Sequence, residues 1–422
     1  MASAGDGRYA TLDITRGVAV MGILLMNIVA FGLIETAYFN PRAQGGADGI
    51  DLGVYLVNFV LFDGKMRGLF SFLFGASTLL VIDRAGAKGE NPARVHYLRM
   101  VWLLAFGFAH LYLIWWGDIL THYALIGMIA YLFRNLKVKT LIIVGIGLLV
   151  LEMLLLAGLP LGVLGAKAGL ADPETARESA KTLQELNKGF GIPTTEYLNT
   201  YLANYRGSYG AVLAARWAAH AWSPITTFAF IGAETLAYML FGMAALRSGM
   251  LTGEWARRRY VKYAAIGFGI GIPVYTALGA YMVANDFSLL SVTTGVMAAT
   301  APVRPLMIVA WACLIILLAR PGGTLTDRIA AAGRMAFTNY LATSLICTTL
   351  FYGYGLGWFG YLSRAELYLV VLGMWALMLL WSKPWLDRFA YGPFEWLWRS
   401  LARLKLQPMR RNIGLASVSQ YP

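Results

Sequence analysis

The sequence predicts an all-α integral membrane protein of about ten transmembrane helices, with both termini in the cytoplasm. Three observations carry that expectation. Of the 422 residues, 58% are hydrophobic and only 14% are charged, against roughly a quarter charged in soluble domains. Apolar runs close to the ~20 residues that cross a ~30 Å hydrocarbon core recur from end to end. Lys and Arg gather in alternate connections between those runs. Together these features exclude a soluble globular enzyme and a disordered, collagenous or disulfide-rich chain.

Ten spans are expected, over residues 14–34, 64–83, 96–116, 119–134, 140–162, 224–246, 261–283, 304–319, 335–353 and 366–382. Continuous apolar segments in lipid must be helices or closed barrels, and their length selects helices. The first run begins no cleavable signal, because Asp13 and Arg16 sit where an apolar core would start. Residues 52–82 are too long for one straight span, about 46 Å as a helix. The charged break Asp63-Gly64-Lys65-Met66-Arg67 divides them, so 52–62 reads as an interfacial or half-inserted helix on the outer side. Residues 163–223 form the one long polar loop. Within it 173–189 is amphipathic, with Pro173 as a start signal and Gly189 as a stop. The loop reads either as an outer cap or as a passive connector. The chain then divides into an N-terminal bundle (1–162), the extracytoplasmic loop (163–223), a C-terminal bundle (224–390) and a cytoplasmic interfacial tail (391–422).

Orientation follows from the basic residues. The connections holding Arg84 to Arg99, Arg134 to Lys139, Arg247 to Lys262 and Arg320 to Arg334, with the tail after Lys383, carry most of the Lys and Arg. The alternate connections carry few. This is the positive-inside pattern, and it requires an even number of spans. It also accounts for the net charge of +13 without a nucleic-acid partner. Cys313 and Cys347 lie in apolar runs and the four histidines are scattered, so neither a disulfide framework nor a metal site is expected. The lipid bilayer and a small-molecule substrate are the expected partners, and a homodimer is left open.

Polar groups inside spans are costly and therefore informative. Asn27 in span 1 and His110 in span 3 fall at one depth, roughly 10 Å below the outer surface. His110 is the candidate general base, since a buried imidazole favours its neutral, proton-accepting form. Its structural alternative is a bundle histidine bonded to a hydroxyl or carbonyl. Asp118 could orient it, but along one helix the two lie about 12 Å apart. Only a bend at Gly117, or a role for His122 instead, closes that gap. Glu152 and Glu234 lie mid-span, and Arg334 opens span 9 ahead of Thr338 and Asn339. The Asp63, Lys65 and Arg67 break reads either as headgroup snorkelling or as an anion clamp at the outer mouth of a cavity. The segment Tyr391-Gly392-Pro393-Phe394-Glu395-Trp396-Leu397-Trp398-Arg399 reads as an interfacial anchor.

Several of these segments occur together, in order. They are Leu12-Asp13-x-x-Arg16-Gly17 with Asn27, then Lys65-x-Arg67-x-Leu69-Phe70-Ser71-Phe72-Leu73-Phe74-Gly75, then Gly107-Phe108-x-His110 and Trp116-Gly117-Asp118. Gly333-Arg334-Met335-Ala336-x-Thr338-Asn339-Tyr340 and the 391–399 motif follow. Over nearly its whole length the chain resembles the YeiB family of bacterial inner-membrane proteins, also called domain of unknown function 418. The opening motif is also similar to that of two groups of transmembrane acyltransferases, those that decorate polysaccharides and the heparan-α-glucosaminide N-acetyltransferases. That resemblance implies transfer of an acyl group from cytosolic acyl-CoA to an acceptor on the far side of the membrane. Asn27 stands where the polysaccharide enzymes usually carry a histidine, as an asparagine does in the heparan group. That group's catalytic histidine lies shortly after its first span, and here no histidine falls between Asn27 and Tyr55. On this reading His110 is the base and Asn27 positions the acceptor or the acyl carbonyl. Arg16, Lys65 or Arg67 stabilises negative charge, and the inner basic residues, Arg257–Arg259 and Arg334 among them, hold the nucleotide end of CoA. The alternative is a transporter or flippase of a small amphipathic or anionic solute, with Glu234, Glu152 and the Lys65/Arg67 pair along its path. No internal repeat supports that alternative.

Overall fold

The computed structural model describes residues 9–320 and 322–410. Both chain ends counted in the expected tail and N-terminus, 1–8 and 411–422, lie outside the described residues. The chain is an all-α membrane protein; among the described residues the only β feature is an isolated bridge between Phe389 and Arg410.

The first half of the chain opens with α1 (Ala10–Gly32), which carries no breaker and stops where Leu33 turns extended. Helix α2 (Gly49–Leu61) and helix α3 (Lys65–Ala87) are separated at Gly64, whose φ of +68° suits only a residue without a Cβ. The break expected at 63–67 is therefore real. Helix α4 (Pro92–Ala109) starts with Pro at its first turn and an Asn91 cap, then changes pitch into a π turn over His110–Ile114. Helix α5 (Leu120–Ala130) follows.

Helix α6 (Val138–Gly169) is 32 residues long, about 48 Å. The boundary expected at 162 falls inside it. The residues to 169 are helix-compatible, and Pro160 is accommodated within the helix. The expected polar loop is then mostly helical: α7 (Ala176–Phe190), α8 (Thr195–Tyr205) and α9 (Tyr209–His220). Helix α7 begins after Pro173 rather than at it, because the Thr175 and Ala176 amides both bond back to Asp172 in a turn.

The second half comprises α10 (Ser223–Arg247), α11 (Arg257–Ala284), the short α12 (Leu289–Val292), α13 (Arg304–Leu318), α14 (Thr324–Arg334), α15 (Ala336–Phe351), α16 (Arg364–Arg388) and α17 (Pro393–Arg403). Seven helical stretches are long and apolar enough to cross a membrane. Three shorter apolar helices, Leu120–Phe133, Arg304–Leu318 and Ala336–Phe351, coincide with the expected spans 4, 8 and 9. Helix α6 leaves Ile143, Leu154 and Leu161 exposed, as a lipid-facing helix does.

Helix α10 is the hub: it packs on α3, α5 and α6. Its crossing with α3 is close enough that a Cβ on Gly75 would meet the Met239 carbonyl oxygen at 2.0 Å, and one on Gly242 would meet the Phe72 oxygen at 1.7 Å. Small residues at a crossing let two backbones approach where lipid supplies no hydrophobic drive. Helix α1 lies among α3, α14, α15 and α16. Helix α17 packs on α4 and α15. The 391–399 motif holds this position through more than interfacial tryptophans. Glu395 accepts from the Phe337 and Thr338 amides at 2.7 and 3.0 Å, capping the start of α15. Trp398 donates to the Arg99 carbonyl at 2.8 Å.

Two outcomes are expected. Gly242→Val should abolish the monodisperse peak in size-exclusion chromatography, because no rotamer relieves a backbone clash; a normal elution profile contradicts the crossing. Glu395→Ala should lower stability by about 1–2 kcal/mol, the worth of a helix cap, read as a fall in Tm of the detergent-purified protein.

Candidate functional site

Two buried polar groups occupy the bundle.

The first is built by the π turn. In it the Trp115 amide donates to the His110 carbonyl at 2.8 Å, five residues back. The helix widens, Trp115 turns extended, and the Trp116-Gly117 turn brings the chain back. Asp118 thus reaches His110 despite their separation in sequence: Oδ1 lies 2.9 Å from Nδ1. Both side chains are 1% exposed. The other Asp118 oxygen accepts from the Thr121 amide at 2.8 Å and so anchors the start of α5. A carboxylate only accepts, so the neutral ring carries its proton on Nδ1 and presents a lone pair at Nε2. No described group bonds that Nε2. Single π turns inside α-helices are frequent at functional sites.

Asn27 lies close by. The His110 ring sits 5.1 Å from the ring of Tyr340 on α15. Tyr340 also lines a narrow slot with Asn27, Phe31, Thr343 and Ser344, whose free volume of about 10 Å³ is the room of a single water. Phe31 stacks on Trp115 at 3.9 Å. His110, Asp118 and Asn27 are therefore gathered around Tyr340.

The second group centres on Glu234 in α10. Its carboxylate pairs with Arg67 and Arg304 and accepts from the Tyr238 hydroxyl at 2.8 Å. Arg304 also donates to Thr300 at 2.8 Å, and Arg67 to Thr235 at 3.4 Å. His122 meets the same Thr235 hydroxyl at 2.9 Å, so it serves this group and not His110. Lys65 neither snorkels nor reaches a mouth. It is 0% exposed, donates to the Phe59 carbonyl at 2.6 Å and lies 3.1 Å from the Tyr275 ring centroid. The break at 63–67 points inward because Arg67 and Lys65 find partners there.

The remaining expected residues lie apart from both groups. Arg16 bonds Asp13 at 3.2 Å and Ser77 at 2.9 Å, tying α1 to α3. Asn339 donates to Ala332 and Ser382 and accepts from Trp381 at 3.0 Å, joining α14, α15 and α16. Arg334 closes α14, ahead of α15. Arg304, the first residue of the expected span 304–319, is a partner of Glu234 that sequence reasoning did not single out. A buried carboxylate needs a cation, and Arg304 stands beside Pro305 at the head of an apolar run, where a helix starts.

Glu234→Gln should cost about 3–5 kcal/mol, because it leaves two guanidiniums facing a neutral amide. Thermal unfolding in detergent checks this, and an unchanged Tm contradicts the pairing.

The family profile described as "Protein of unknown function (DUF418)" matches residues 245–405. The chain is 33% identical over 405 residues to the uncharacterized protein YeiB of Escherichia coli (strain K12), covering 93% of this chain and 96% of that protein. It is 30% identical over 422 residues to the uncharacterized protein YxaH of Bacillus subtilis (strain 168), covering 96% of each. No solved structure matches. With a profile match over α11–α17 and whole-length likeness to these relatives, the chain belongs to the DUF418 family of YeiB-like proteins.

Proposed function

We propose that this protein is a membrane acyltransferase of the bacterial inner membrane, with both termini in the cytoplasm, moving an acyl group from acyl-CoA to an acceptor on the far side. The observation that carries the reading is the His110 Nδ1–Asp118 contact with Nε2 left open. An orienting carboxylate behind an imidazole with a free second nitrogen is the arrangement of a general base.

In the proposed step, Nε2 takes the proton of an acceptor hydroxyl or amine. The acceptor oxygen or nitrogen then attacks the thioester carbonyl. The carbon–sulfur bond breaks, and the leaving thiolate recovers the proton from Nε2. Asp118 is a positioning residue, since it acts through His110. Asn27, across the Tyr340 slot, supplies an amide for the carbonyl oxygen. Arg257, Arg258 and Arg259 are exposed and, with Arg334, suit the phosphates of CoA. Lys65 and Arg67 are left out of the mechanism because partners within the bundle already engage them.

A transporter for a small amphipathic or anionic solute remains the alternative, and the Glu234 cluster is the observation that favours it. Glu234, however, is held by two arginines and a tyrosine hydroxyl, a fixed arrangement with no open acceptor of its own.

Detergent-purified protein should bind acyl-CoA saturably by calorimetry, with free CoA and ATP as controls, and should consume the thioester. His110→Ala should lower kcat by about 10²-fold or more while binding persists. Asp118→Asn should lower kcat with little change in KM. A monodisperse sample that binds no acyl-CoA contradicts the reading. Uptake of a labelled solute into proteoliposomes that His110→Ala leaves intact favours the transporter.

A further inference from the structure

The helices between α6 and α10 are docked, not passive. Helix α9 sits on the π turn, where Tyr209 donates to the Leu113 carbonyl and Tyr112 to the Ala221 carbonyl, each at 2.8 Å. Helix α8 is fixed to the loop after α15: Arg206 donates to the Phe359 carbonyl at 2.7 Å, and the Gly353 amide to the Tyr205 carbonyl at 2.9 Å. Together α8 and α9 form a cap over the end of the bundle that holds His110.

Beneath this cap lies Arg216 of α9, 0% exposed. Its Nη1 donates to the Tyr112 carbonyl at 3.1 Å. No described group accepts from its Nε or Nη2, and among the described residues no carboxylate pairs with it. A guanidinium stays charged at any physiological pH. A buried charge without a counter-ion is unfavourable, and a ligand anion would relieve it.

The surroundings are rich in donors of the same kind. The indole N–H groups of Trp115 and Trp116 and the hydroxyl of Tyr352 are buried and bonded to no described group. Tyr201 stacks on Tyr205 at 4.6 Å, and Tyr205 meets Tyr352 at 5.1 Å. Trp116 lies 5.8 Å from Trp115 and stacks on His220 at 5.0 Å. Arg216 is within electrostatic reach of Tyr205, Tyr352 and His220. Burial and Arg216 push His220 down to about 4, so at neutral pH it adds no second charge. Glu35 Oε2 stands 3.7 Å from His220 Nε2 and makes no bridge to Arg216. Trp115 in turn lies 6.3 Å from the His110 ring.

We propose that Arg216 anchors an oxyanion-binding site beneath the cap, taking a phosphate group of the molecule presented to His110. The donors come from three elements, α9, the 110–118 segment and Tyr352 at the end of α15. Such a three-dimensional set suits a tetrahedral oxyanion better than a planar carboxylate. Entry requires α9 to lift from the π turn. The phosphate belongs either to a soluble molecule or to a lipid headgroup. The anion site itself stands on Arg216; that its occupant is the acyl acceptor rests on the function proposed above.

The test uses the full chain in nanodiscs, read by Tm. In phosphatidylcholine discs, inorganic phosphate should raise Tm saturably if the source is soluble. If the source is lipid, replacing phosphatidylcholine by phosphatidylglycerol should raise it instead. Arg216→Met should lose either response, while His110→Ala should keep it, so failure of the acyl-transfer reading would leave the site standing. Should Arg216→Met not fold, Tyr352→Phe removes only a hydroxyl and should weaken the response several-fold. The proposal is overturned if the wild type ignores both anions. It is equally overturned if Arg216→Met responds as the wild type does, or if Tyr352→Phe leaves the response unchanged.

Discussion

Inside an apolar bundle there is no water to take the place of a missing hydrogen-bond partner, and every buried polar atom must be met by another part of the chain or by a ligand. That constraint organises this molecule. Where partners are complete, the polar group is a structural joint. Glu234 is met by Arg67, Arg304 and Tyr238, and it binds α3, α10 and α13 into one unit. Asn339 joins three helices with both ends of its amide. Lys65 rests on a carbonyl and an aromatic face. Buried atoms without a described partner also occur in Glu152, His122, Arg304 and Arg364, but one set lies around the π turn and beneath the cap: His110 Nε2, the two indoles, the Tyr352 hydroxyl and Arg216.

The π turn links these features. It lengthens one helical turn by a residue, which points the chain back and closes Asp118 onto His110. The same turn exposes the Tyr112 and Leu113 carbonyls to α9. A straight helix through 114 would leave the base without its carboxylate and the cap without its seat. Local irregularity here is thus coupled to both the chemistry of His110 and the placement of Arg216.

Much of this was legible in the sequence, because hydropathy and helix length are local properties. The spans, the break at Gly64 and the singling out of His110 need only neighbouring residues. A bend near Gly117 was foreseeable as the condition for an Asp118–His110 contact, though its π geometry was not. What the sequence hid depends on distant partners. Arg304 stands at the head of an expected span, and nothing local shows that α13 brings it to Glu234, 70 residues away. Arg216 is one more charge in the long polar loop 163–223, with no neighbour that marks it. Glu395 was hidden within a motif dominated by tryptophan, and α6 overruns 162 although Pro160 and Gly162 read as a stop.

The central claim is that His110 holds a proton on Nδ1 toward Asp118 and keeps Nε2 free. Nitrogen-15 NMR of histidine-labelled protein in nanodiscs at neutral pH tests it most directly. The account predicts one histidine in the Nδ1–H tautomer, with a strongly downfield Nδ1 proton that disappears in Asp118→Asn and with an unprotonated Nε2. A His110 signal in the Nε2–H form, unchanged in Asp118→Asn, would contradict it.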